Sequence, residues 1–174
     1  MVWSKQEFEE KRSEITRFCA NLYDLLLQKR VVSVKAPVKS GKRLMVEYLS
    51  LLCPSYEHVF ISSFHRIADQ DQRLELAEYG IHVFSVSNKK VAEKCIEFLQ
   101  EHPNAIVHLD ESDYGTGMEQ LLSGVWEYVQ SEKLYVILYS ATTYEPDSTG
   151  KYLMLCFRPP SSYCGSVKFL QQDL

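Results

Sequence analysis

Three short polar clusters each follow an apolar run, and each holds residue types suited to phosphate chemistry. The first is "APVKSGKR", which ends on Lys39, Ser40, Gly41, Lys42 and Arg43. A phosphate loop needs backbone N–H groups that converge on an anion, a helix N-terminus behind them, and a lysine that reaches the outer phosphates. Gly41 and Lys42 at the start of a helix meet the second half of that requirement, and a basic turn between strand and helix is the plainer reading. The second cluster is "DESD", from Asp110. Carboxylates at the end of a buried strand need a cation or hydrogen-bond donors. Magnesium prefers oxygen ligands and suits Asp110, while Glu111 beside it could orient or deprotonate a water. The same four residues would serve equally as an acidic cap for the next helix. The third is Ser140-Ala141-Thr142, two hydroxyl residues that an ordinary turn would also explain.

The elements that must position these clusters alternate. Ser4 and Glu7 have capping-box spacing, and Phe8, Ile15, Phe18, Leu22 and Leu25 then recur at helical intervals, which predicts one long amphipathic helix to about Gln28. After it come the strand "VVSVKA", the helix "RLMVEYLSLL", the strand "HVFISSF" and the helix "ADQDQRLELAEY" closed by Gly80. The strand "IHVFSV", the helix "NKKVAEKCIEFLQEH" capped by Asn88, the strand "AIVHLD", the helix "MEQLLSGVWEYVQ" and the strand "LYVILYS" follow, with "YLMLCF" as a further strand. Strands that are apolar on both sides and alternate with helices predict a parallel sheet covered on both faces. In such a fold the strand C-termini share one edge, where ligands bind. All three polar clusters fall on that edge.

Bulk properties narrow the classes. A chain of 174 residues, 45% hydrophobic, fits one well-packed domain. Its formal charge of −4 lacks the basic signature of a free-standing nucleic-acid binder, so any such contact must be local. Cys19, Cys53, Cys95, Cys156 and Cys164 are scattered and odd in number, which predicts buried reduced thiols rather than a disulfide framework or zinc site. The charged N-terminus and the absence of any long apolar run predict a soluble intracellular protein of cytoplasm or nucleus, without a membrane partner.

Taken together, "APVKSGKR", "DESD" and "SAT" resemble the first RecA-like domain of superfamily-two, DExD-box helicases, over about residues 31–143. The periodicity predicts an N-terminal helix at 1–30 packed on the core, and the resemblance implies a three-layer α/β RecA-like P-loop domain at 31–158 with a connector at 159–174 towards a second RecA-like domain. It implies ATP and magnesium as cofactors. Lys42 would hold the β- and γ-phosphates, with Lys39, Ser40, Gly41 and Arg43 completing the loop. Asp110 would hold magnesium through water and Glu111 would activate the hydrolytic water. Ser140 and Thr142 would couple nucleotide state to nucleic acid, whose backbone Ser62, Ser63 and Arg66 would touch. The implied function is an ATP-driven helicase or translocase motor, DNA or RNA its partner, weak or inactive as this piece alone. Two departures stand against it. Arg43 replaces the hydroxyl residue that ligates magnesium, and Lys39 replaces a glycine. They support an alternative, a catalytically decayed RecA-like module that binds nucleic acid or protein.

Overall fold

The structure, a computed structural model, describes residues 2–36, 41–62, 67–110, 119–140 and 153–157. Chain order is α1 (Lys5–Lys11), α2 (Ser13–Lys29), β1 (Val31–Lys35), α3 (Lys42–Leu52), β2 (Glu57–Ser62), α4 (Ile67–Glu78), β3 (His82–Ser85), α5 (Lys89–Glu101), β4 (Ala105–Asp110), α6 (Glu119–Ser131), β5 (Tyr135–Ser140) and β6 (Leu153–Cys156). Local chemistry sets most of these limits. Ser4 and Glu7 form a capping box at α1, and Asn88 accepts from the Val91 N–H at the start of α5. Gly80, at φ +81°, ends α4 in the left-handed conformation that glycine adopts without penalty, and the Ile81 N–H returns to the Leu76 carbonyl.

The six strands form one sheet in the order β3-β2-β4-β5-β1-β6, and every pairing is parallel. Because successive side chains on a strand point to opposite faces, each strand feeds two cores. Val32, Val34, Phe60, Ile106, Ile137 and Tyr139 share one core with α1, α2 and α3. Val59, Ile61, Val107, Val136 and Leu138 share the other with α5 and α6. This is the three-layer α/β fold, a parallel sheet covered on both faces, that the alternating pattern predicts.

The N-terminal segment departs from the expected single helix. It breaks at Arg12, whose N–H closes α1 onto the Phe8 carbonyl at 2.8 Å, and whose carbonyl accepts from Ile15 and Thr16 to open α2. The break lets α1 turn its own apolar side inward. Phe8 is fully buried, edge-on to Trp3 and Tyr48, with ring centroids 5.0 and 5.4 Å away. Packing decides the break, since no glycine or proline marks it in the sequence.

Candidate phosphate site

Register brings the strand ends together. β5 lies between β1 and β4, so Lys35 pairs with Ser140, and Asp110 stands opposite Tyr139 on one side and Ser62 on the other. The described members of the three clusters, among them Lys42, Asp110 and Ser140, therefore share one edge. Ser62 is buried at the end of β2, and Ser140 ends β5. Lys39, Ser40, Ser63, Arg66, Glu111 and Thr142 lie outside the described residues.

α3 starts directly behind the first cluster. Gly41 is its N-cap, at φ 111° and ψ 23°, with no side-chain cap on the first turn. A helix end of this kind offers free N–H groups and positive dipole potential. Lys42 then crosses to β4. Its Nζ lies 3.1 Å from Asp110 Oδ1, and the two side chains are 24% and 14% exposed. Two residues 68 positions apart, each read from its own motif, thus meet as a pair. At such exposure an ion pair is worth about 1 kcal/mol or less, so an anion of higher charge density can take Lys42 over.

Arg43 is occupied elsewhere. Its Nη1 lies 3.2 Å from Glu75 Oε2 on α4, and its Nε lies 3.6 Å from Glu47 Oε2 one turn along α3. That second gap is too long for a hydrogen bond, and both atoms lack a hydrogen-bond partner among the described residues. Burial pushes the Glu47 carboxyl up to about 7, against the pull of Arg43. Magnesium fits this site poorly. Arg43 has no lone pair to donate where the helicase likeness needs a hydroxyl, and the Lys42 ammonium competes for Asp110.

Beneath the edge runs a buried polar chain that motif reading passes over. His58 on β2, His108 on β4 and Tyr139 on β5 face the same core. His58 Nε2 lies 3.0 Å from the Cys53 carbonyl, an acceptor only, so that nitrogen carries the proton. His58 Nδ1 then accepts from His108 Nε2 at 3.0 Å, and His108 Nδ1 accepts from the Tyr139 hydroxyl at 2.8 Å. Every link has one direction and both rings are neutral. Burial lowers both histidines and holds Tyr139 well above its ordinary value, the Asp110 charge adding to the latter. Alternation of polar residues inside apolar strands was the available signal, but only register shows that the three meet.

Cys19, Cys53 and Cys95 are free and buried, and burial pushes the Cys53 and Cys95 thiols up to about 12. They are packing residues rather than nucleophiles. Among the described residues no helix is long and apolar enough to cross a membrane.

Comparison with known proteins corrects the family reading. No family model matches the chain, and no curated protein matches it. Among solved structures it is similar to C. elegans PCH-2, not a DExD-box helicase, at 13% identity and a TM-score of 0.46. That match covers 92% of this chain and 45% of the other. A likeness of this size carries no inference about activity. The expected membership of the superfamily-two, DExD-box helicases does not hold. The physical reason lies in the first cluster, where Lys39 and Arg43 replace the glycine and the hydroxyl, and Arg43 ties α3 to α4 instead of serving a metal. What remains is a parallel α/β sheet covered on both faces, with the lysine and the aspartate side by side at its edge.

Proposed function

We propose that this chain binds the phosphate chain of a nucleoside triphosphate, ATP in the first instance, at the shared ends of β1, β5 and β4. The observation that carries the reading is the Lys42–Asp110 pair at the mouth of α3. In it a mobile ammonium, an uncapped helix N-terminus and a strand-end carboxylate converge. On binding, Lys42 exchanges Asp110 for phosphate oxygens, and the α3 N–H groups complete the cradle. Asp110 and Glu111 would act on a water near the terminal phosphate in any hydrolysis. Arg43 favours binding over turnover, because it removes the oxygen ligand that fast phosphoryl transfer draws on.

Thermal unfolding with and without ATP tests this. A ligand at ~100 times its dissociation constant stabilises the folded state by about 2.7 kcal/mol. The wild-type midpoint should rise with ATP and that of Lys42→Ala should not. Equal responses from the two proteins, or none from either, would remove the phosphate-site reading.

A further inference from the structure

Arg12 stands beside the start of α3 although α2 and β1 separate it from the first cluster on the sequence. A Cβ built on Gly41 would come within 3.4 Å of Arg12 Nη2 and 2.7 Å of Ile15 Cδ1. Arg12 Nη2 thus lies within van der Waals reach of the N-cap of α3, while Ile15 is the side chain that leaves room for glycine alone. The break between α1 and α2 falls at this same residue, so the turn of the N-terminal segment sets the arginine there. Of its five N–H donors, Nε is engaged by Glu14 Oε1 at 2.5 Å, with the side chains 26% and 23% exposed.

We propose that Arg12 is a second cation of the phosphate site, and that the site holds a triphosphate without a divalent metal. The inference rests on the phosphate-site reading above. Without magnesium a triphosphate brings its full negative charge, which the protein itself must meet. Lys42 supplies one positive charge from α3, Arg12 a second from the α1–α2 junction, and the first turn of α3 a partial third, against the Asp110 and Glu14 carboxylates that the two cations leave. Arg43 adds little, because Glu47 and Glu75 already hold it. Arg12 releases Glu14, a partly exposed pair of small worth, for a planar two-point contact with phosphate oxygens, which is stronger.

Calorimetric titration of ATP into the full chain, once in EDTA and once in magnesium, tests the proposal. Wild type should bind in EDTA and more weakly in magnesium, where the metal masks the phosphate charge that Lys42 and Arg12 meet. Arg12→Gln should weaken binding in EDTA by about tenfold or more, the scale of a lost hydrogen bond to a charged group. Arg12→Lys should recover part of that loss, and Glu14→Gln should tighten binding by freeing the arginine. The last two variants keep the test decisive if Arg12→Gln fails to fold. Binding that needs magnesium overturns the proposal, as does Arg12→Gln binding like wild type, or Glu14→Gln failing to tighten. If Lys42→Ala alone abolishes binding, the phosphate site stands and the role of Arg12 falls. If wild type binds no ATP in either buffer, both fall.

Discussion

Lys42 and Asp110 illustrate what a residue type can reveal before any coordinates. Each follows an apolar strand, and parallel α/β topology sends all strand ends to one edge, so their sharing that edge follows from pattern, while the 3.1 Å contact is set by the fold. Replacing Lys42 by Ala should therefore leave the unfolding midpoint of the free protein within a few degrees, since a partly exposed pair contributes about 1 kcal/mol or less. It should nonetheless erase the response to ATP, and a loss of many degrees without ligand would mean a structural lysine instead. The His58–His108–Tyr139 chain was not legible, because strand register, not residue spacing, brings the rings together. It behaves as a buried network with every donor used. Tyr139→Phe leaves His108 Nδ1 without its donor and should destabilise the fold by about 1–3 kcal/mol in urea titration. A change below a few tenths of a kcal/mol would show that another group satisfies that nitrogen.

At the scale of elements, strand and helix order was legible throughout the described residues, and β4 runs over Ala105–Asp110 as its sequence pattern predicts. Caps carried that success: Ser4, Asn88 and Gly80 each terminate an element where their chemistry requires. The break at Arg12 was hidden for the opposite reason. Residues 5–28 keep a helical repeat across it, and what interrupts them is the burial of Phe8 against Trp3 and Tyr48, a tertiary effect. Gly41 is the point where this N-terminal segment and the candidate loop touch. Gly41→Ala would place a methyl group 2.7 Å from Ile15 Cδ1 on a backbone at φ +111°. The left-handed conformation disfavours alanine by about 1–2 kcal/mol, and overpacking adds about 1–3 kcal/mol. Denaturant unfolding should show a loss in the range of those sums, and a neutral variant would mean that α2 moves freely against the loop.

The whole molecule couples these parts through buried charge. His58 and His108 have folded values below the ordinary ~6.5, so the unfolded chain takes up protons first and stability is lost as pH falls below that value. Glu47 has the opposite sign. Its folded value of about 7 lies above the ordinary 4.5, so its contribution declines as pH rises between the two. Glu47→Gln removes the opposing part, and its midpoint should climb more steeply from pH 5 to pH 7 than that of wild type. An equal or shallower climb would mean that Glu47 titrates normally. The three-layer fold could be read from alternation alone, whereas family membership could not, since three short clusters set by one topology can arise on one sheet edge without common descent. The central claim is that a nucleoside triphosphate sits where α3 begins. Hydrogen–deuterium exchange on the full chain, with and without ATP, tests it most directly. With ATP bound there, exchange should slow in peptides covering residues 36–46 and 108–112. Unchanged exchange there, or protection confined to other segments, would contradict it.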